Sequence, residues 1–321
     1  MQNHKDVSEK IYQQIEKSKN ILLVSHQKPD GDTLGSNLAL LDYLLNKNKQ
    51  VTSFCLDSVP QNYQFLPHSH LISNDHKIFT KKYDTVIVLD SGSLDYAGVD
   101  NLITAIPKKF VLINIDHHAS NPGYGDVNLV FESASSTAEI IYRLLKDWDV
   151  DWTIDMATAL ACGLVTDTGG FKNPATSYQC LSATASLVQK GAKTHNIIQA
   201  TLNRTEINSL KLWGRALERL KKIEKYNIIY TWITQQDFIE CQVDETATEG
   251  IANFLHVLKD GKIIMVLRET TDQQIKGSLQ TTTDIDLTKL ATAFGGGGHK
   301  KAAGFSLPGK LVYDNNKLRI E

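Results

Sequence analysis

The chain has 321 residues, 41% of them hydrophobic and 22% charged, the proportions of an ordinary globular protein long enough for two domains. Thirty-four basic residues against 36 acidic ones leave a formal charge of −2. That balance excludes the broad basic face of a duplex-DNA binder but not a small phosphorylated ligand held by a few local cations. Residues 1–10 are polar, and no apolar run approaches a membrane span. The four cysteines (Cys55, Cys162, Cys180, Cys241) form no CxxC pair and read as buried residues of a reducing compartment. A cytoplasmic protein with no membrane partner is expected.

Taken in chain order, residues 3–19 read as a polar-faced helix and 20–25 as a short apolar strand. Residues 34–45 carry Leu34, Leu38, Leu41 and Leu45 at helical spacing. Further strands are expected at 51–56, 84–90 and 110–115. Continuous apolar strands alternating with helices predict an α/β domain built on a doubly wound parallel sheet covered on both faces. Helices then follow at 137–146, 154–165, 178–190, 196–202 and 206–222. A charged run at 221–225 marks a change of composition. Beyond it come strands at 227–233, 262–267 and 274–280, with helices at 248–258 and 287–294. The organisation predicted is a first domain over 1–195, a helical linker over 196–225 and a second, smaller α+β domain over 226–321.

Three of the four early strands run into titratable residues: His26, Asp90 and the trio Asp116, His117 and His118. Ligands of parallel α/β sheets bind outside the carboxyl ends of the strands, so one sheet edge should collect these groups together with Asp30 and Asp32. Alone, Asp30-Gly31-Asp32 is equally compatible with a turn and helix N-cap, and Asp90-Ser91-Gly92 with a strand-ending turn. The trio after an apolar strand is less ordinary, because burying unpaired charge is costly. Asp167 stands near a helix C-terminus, where a carboxylate is unfavourable unless a cation offsets it. Carboxylates and imidazoles in this mixture suit manganese, iron, zinc or cobalt, and six such ligands are too many for one catalytic ion. They suit two ions sharing a carboxylate, the arrangement that clamps a phosphoryl group.

Ser-His-Gln-Lys-Pro-Asp-Gly-Asp-Thr-Leu-Gly-Ser (25–36), the lone Asp90, Asp-His-His (116–118) and Thr-Asp-Thr-Gly (166–169) resemble, in order, the four motifs of the DHH phosphoesterases. Phe-Gly-Gly-Gly-Gly-His-Lys-Lys-Ala-Ala-Gly-Phe (294–305) resembles the signature of the DHH-associated C-terminal domain. The combination is similar to the oligoribonuclease and pAp phosphatase type. The resemblance implies two divalent ions, manganese foremost. His26, Asp30 and Asp90 would hold one, and Asp32, Asp90, His117 and Asp167 the other, with Asp90 bridging. His118 would face the substrate phosphate as a catalytic group and Asp116 would orient a histidine. Substrate-end recognition would fall to the C-terminal domain, with the active site between the domains.

Read by itself, the run Gly295, Gly296, Gly297 and Gly298 can turn backbone N–H groups inward as an anion nest. It leads into His299, Lys300 and Lys301, within a tail that carries a local excess of four positive charges from Lys289 onward. Relatives of this type usually carry an arginine in the strand before the glycines; here the segment is Ser278-Leu279-Gln280-Thr281. Gln280 has no charge and cannot clamp a phosphate bidentately, and Arg268 is the candidate to compensate. The function expected is two-metal hydrolysis of phosphate esters in short single-stranded oligoribonucleotides, to mononucleotides, and of pAp to AMP, with a homodimer compatible. The rivals are a phosphodiesterase of cyclic or linear dinucleotide messengers, a nucleotide-binding sensor without catalysis, and a structural metalloprotein.

Overall fold

The computed structural model describes residues 4–202, 206–248, 250–255, 258, 260–298, 300–315 and 317–321, and the chain divides into two compact units, 1–204 and 205–321. In the first unit the order is α1 (His4–Lys17), β1 (Asn20–Ser25), α2 (Gly31–Asn46), β2 (Gln50–Phe54), β3 (Ile72–Ser73), β4 (Thr85–Leu89), β5 (Val111–Asp116) and β6 (Val127–Val130). Then come α3 (Thr137–Asp147), α4 (Ile154–Asp167), α5 (Tyr178–Gln189) and α6 (Thr194–Thr201). The six strands form one sheet of order β3-β2-β1-β4-β5-β6 with every pair parallel. This is the strand order of a doubly wound sheet, as expected. The order reverses between β1 and β4, which is where such sheets open a crevice at their carboxyl ends.

Why these residues make central strands is visible in their burial. Ile21 and Leu23 face one layer and Leu22 and Val24 the other, all four fully buried. A strand buried on both faces needs an unbroken apolar run. The first layer is helical: Val7, Ile11 and Ile15 of α1 join side chains of α2 to α5. The second is not. It is closed by Phe54, Phe79, Tyr83 and Val99, drawn largely from loops and 3₁₀ turns at His76–Thr80 and Ile103–Ala105. Residues 57–110 carry no long helical period, so that face is covered by irregular chain. Helices α2 and α4 pack unusually closely. A Cβ on Gly35 would meet the Ala159 carbonyl at 2.3 Å, and one on Gly163 would meet Asp32 Oδ1 at 2.8 Å. This contact brings Asp32 and Asp167 to the same side of the unit.

The second unit runs α7 (Ile207–Glu218), β7 (Lys221–Ile223), β8 (Ile228–Ile233), α8 (Gln235–Cys241), α9 (Ile251–Leu255), β9 (Ile263–Glu269), β10 (Gln274–Gln280), α10 (Leu287–Ala293), β11 (Gly297–Gly298), β12 (Ala302–Pro308), β13 (Leu311–Asp314) and β14 (Lys317–Ile320). Its six-stranded sheet, β11-β12-β10-β9-β8-β7, is antiparallel except for β8 against β9. One face packs on α7, α8 and α9, the other on α10. The helix expected over 206–222 ends at Glu218, and its last residues instead open β7. Within 196–225, α6 belongs to the first unit and α7 to the second. Of the helix expected over 248–258, α9 is the described helical part, and residues 249, 256 and 257 lie outside the described residues. All four cysteines are buried and unpaired. Among the described residues no helix is long and apolar enough to cross a membrane.

Candidate metal centre and active site

His26 follows β1 directly and is 4% exposed. Its Nδ1 lies 2.7 Å from the Gln27 carbonyl and donates to it, which leaves Nε2 facing Asp30 Oδ1 at 3.8 Å and Asp90 Oδ2 at 3.5 Å. Asp30 is the N-cap of α2, accepting from the N–H groups of Asp32 and Thr33. Asp30 is therefore an N-cap, as its turn motif predicts, and at the same time a carboxylate facing His26. Asp32 lies in the first turn of α2, which begins three residues earlier than its leucine spacing indicates.

Asp90 follows β4 with φ +57°, a left-handed backbone that few non-glycine residues adopt. Its N–H is held by the Ile115 carbonyl. The turn directs its two carboxylate oxygens to different histidines: Oδ2 to His26 and Oδ1 to His117 Nε2 at 3.6 Å. His117 Nε2 also lies 3.9 Å from Asp32 Oδ2 and 3.9 Å from Asp167 Oδ2, the last residue of α4. Among the described residues, three ligand-competent groups meet here, His26–Asp30–Asp90, Asp32–His117–Asp167 and Asp90–His117–His118, with Asp90 in or next to each; a fourth, Asp42–His68–Asp155, shares no residue with them. All six residues expected to bind metal come together.

His118 also reaches the centre, its Nδ1 lying 3.8 Å from Asp90 Oδ1, but its hydrogen bonding differs. Its Nδ1 donates to Asp116 Oδ1 at 2.7 Å, so that nitrogen is not available as a ligand, and the side chain is 46% exposed. Asp116 is fully buried and also accepts from the His117 N–H and from Asn121 Nδ2.

The charges do not balance by themselves. Burial drives the Asp32 carboxyl well above the usual carboxylate range, and the charges of Asp90, Asp167 and Asp30 add to it. Burial likewise pushes Asp167 up to about 6, with Asp90 and Asp30 reinforcing it against His117. Burial opposes a charge on His26, but the carboxylates of Asp30 and Asp90 facing Nε2, with the Gln27 carbonyl bonded to Nδ1, outweigh it and push its pKa up to about 11. The Asp116 hydrogen bond raises His118, and the His118 and Asn121 bonds hold Asp116 low against its burial. Carboxylates crowded this way need compensating positive charge. Ligand atoms each about 2.0–2.2 Å from one cation must lie within about 4.4 Å of one another. The separations of 3.5–3.9 Å meet that limit while being too long for hydrogen bonds. The donor set therefore fits two divalent cations.

Sequence reasoning missed the supports. The N-terminus of α3 points at the centre: the Thr137 and Ala138 N–H groups donate to the two oxygens of Asp32 at 2.7 and 2.8 Å, and Thr137 Oγ1 donates to Asp90 Oδ1 at 2.9 Å. A helix N-terminus favours an anion here. Ser136 caps the helix, and buried Glu139 takes the Ser135 N–H and hydroxyl and an ion pair from Arg143. The available signal was Ser-Ser-Thr-Ala-Glu, a helix start with small polar residues.

In the second unit, Arg268, Ser278, Gln280, Gly297 and Gly298 line a cavity of about 510 Å³. Arg268 Nη1 is paired with Glu245 at 2.6 Å. Lys300 is exposed and is not among the described residues lining that cavity; His299 lies outside the described residues. The nest expected of all four glycines does not hold for two of them. The Gly295 and Gly296 N–H groups bond the Thr292 and Ala291 carbonyls and close α10, and Gly297 and Gly298 pair with β12. A Cβ on Gly296 would sit 2.1 Å from the Gly304 carbonyl, so close strand approach explains that glycine.

The DHH family N-terminal domain matches residues 20–164 and the DHHA1 domain residues 225–318. The chain is 26% identical to the bifunctional oligoribonuclease and PAP phosphatase NrnA of Thermus thermophilus over 90% of this chain and 84% of that one. The protein of the same description from Bacillus subtilis is 26% identical over 89% of each. The crystal structure of an exopolyphosphatase-related protein from Bacteroides fragilis superposes with a TM-score of 0.86 at 26% identity, covering 95% of this chain and 92% of that one. With its site residues gathered at the switch point of a parallel sheet and both domains matched in order, the chain belongs to the DHH family of phosphoesterases and carries a C-terminal DHHA1 domain.

Proposed function

We propose that this chain is a manganese-dependent two-cation phosphoesterase that hydrolyses short oligoribonucleotides to mononucleotides and pAp to AMP. The observation that carries the reading is Asp90, whose two oxygens face His26 and His117 separately and so suit a carboxylate shared by two ions. His26, Asp30 and Asp90 would hold one cation, and Asp32, Asp90, His117 and Asp167 the other. Such a pair, when bound, supplies Lewis acidity to the phosphoryl oxygens and acidifies the attacking water. The chain's own residues do the rest. Asp116 keeps the His118 proton on Nδ1 and fixes the ring, leaving Nε2 for a phosphate oxygen or the departing oxygen. The α3 N-terminus holds Asp32 in place. The nucleotide substrates are supported by the descriptions of the two bacterial relatives, and the 510 Å³ cavity of the DHHA1 unit would recognise part of them.

The test is a substrate panel with and without added manganese: pAp, dinucleotides, longer RNA, cyclic dinucleotides and pyrophosphate. Turnover of pAp and dinucleotides, falling as the RNA lengthens and abolished by a chelator, is expected. Equal turnover of a dinucleotide and a long strand would contradict the short-substrate reading. Preference for a cyclic dinucleotide would favour the messenger phosphodiesterase instead.

A further inference from the structure

Beside His118 the first unit has a cavity of about 540 Å³, lined by Gly92, Ser93, Tyr96, His118, Ser120 and Pro122. Of these lining residues only His118 has a role in the chemistry above. Its walls are built, not loose. The turn that carries Tyr96 is pinned by hydrogen bonds from the Tyr96 N–H to Ser93 Oγ and from the Ala97 N–H to the Ser93 carbonyl, and Ala97 and Val99 are buried in the core beneath. The opposite wall is fixed by Asn121, whose N–H bonds the His118 carbonyl and whose amide reaches Ser91 and Asp116. Tyr124 adds a further bond to the Ser91 carbonyl.

On this rigid rim the Tyr96 ring is 50% exposed. It packs at 5.2 Å against the imidazole of His26, which fixes its position at the edge of the centre. A large aromatic side chain left half in water beside a cavity is a ready stacking surface. The other walls are small, Gly92 and Ser120 being close enough that a Cβ on Gly92 would touch Ser120 Oγ at 3.6 Å. No lysine or arginine is among the described residues lining the cavity, so it has no clamp for a second phosphate. Its volume is in the range of sites for small organic ligands, roughly 300–1,000 Å³. We propose that this cavity is the subsite for a nucleobase of the substrate nucleotide, with Tyr96 as the residue on which that base stacks. The proposal rests on the phosphoesterase reading only for the placement of the phosphate. Stacking tolerates any base, so purines and pyrimidines should both be accepted.

The test is calorimetric binding of AMP and of ribose 5-phosphate to the manganese-loaded full chain, which needs no turnover. Stacking of one base is worth roughly 1–3 kcal/mol, so AMP should bind about 10- to 100-fold more tightly than the base-free sugar phosphate. Tyr96→Ala should remove most of that ratio, and Tyr96→Phe should keep it. Metal content is measured alongside, because the ring also touches His26. An AMP preference that survives in Tyr96→Ala overturns the proposal. So does an alanine variant that weakens both ligands equally and loses metal, since the ring would then serve His26 alone. Failure of the substrate panel with this ratio intact would instead tell against the phosphoesterase reading.

Discussion

Thr137 offers a sharp test of how the centre is held. Its hydroxyl gives the 2.9 Å hydrogen bond to Asp90 Oδ1, the oxygen on the His117 side, and both residues are buried. Thr137→Val is nearly isosteric and keeps the backbone N–H that holds Asp32, so it removes one hydrogen bond and little else. A hydrogen bond to a charged group contributes about 1.5–3 kcal/mol. Groups that orient a metal ligand typically matter by about 10- to 100-fold in metal affinity or activity, which is the same range in free energy. Manganese titration by calorimetry, read beside kcat and KM, should therefore show affinity lowered by roughly one to two orders of magnitude with the fold unchanged. Thr137→Ser keeps the hydroxyl and should restore most of the loss. A valine variant with wild-type manganese affinity and kcat would refute the argument. A serine variant as impaired as valine would do the same, because the methyl group and not the hydroxyl would then be at work.

Three other outcomes are expected. His118→Ala should lower kcat by roughly 10²–10⁴-fold while metal content is unchanged, since Nδ1 is committed to Asp116; a lost ion in that variant would make His118 a ligand. Gln280→Arg should lower the KM for pAp about tenfold with little change in kcat, a charge-assisted bond contributing ~1.4 kcal/mol; an unchanged KM would mean that Gln280 does not meet the phosphate or that Arg268 already serves despite Glu245. Burial works against ionisation of Asp237, but Arg219, Thr234 and Arg215 hold its carboxyl well below the usual range. Because the folded-state pKa is the depressed one, its stabilisation is complete above the unfolded value of about 3.9 and fades as pH falls below it. Asp237→Asn should cost about 2 kcal/mol near pH 7, less than a fully buried pair because Arg215 and Arg219 are 35% and 29% exposed. The gap to wild type in denaturant melts should narrow below about pH 4; a gap constant down to pH 3 would count against this linkage.

What the sequence made legible was whatever depends on residue type at a strand end. A buried parallel strand needs a continuous apolar run, so β1, β4 and β5 announce themselves, and the residue after each run is placed at the sheet edge by topology alone. His26, Asp90 and His117 converge for that reason. The short edge strands β3 and β6, of two and four residues, carry too few residues for any period to register. Strands β11 and β12 were hidden because glycines that permit close pairing look the same in sequence as glycines that form a nest. The supports were hidden for another reason. Thr137 lies 47 residues from Asp90, and Asn121 acts through Ser91 across 30 residues; such bonds exist only once the fold brings the partners together. Asp30 shows where the two kinds of information meet. Its local signal, an N-cap before an apolar helix, and its place in the centre, a carboxylate facing His26, are carried by one side chain. The cap fixes the position of that carboxylate before any ligand arrives, so the feature that reads as ordinary helix chemistry is also what preorganises one side of the centre.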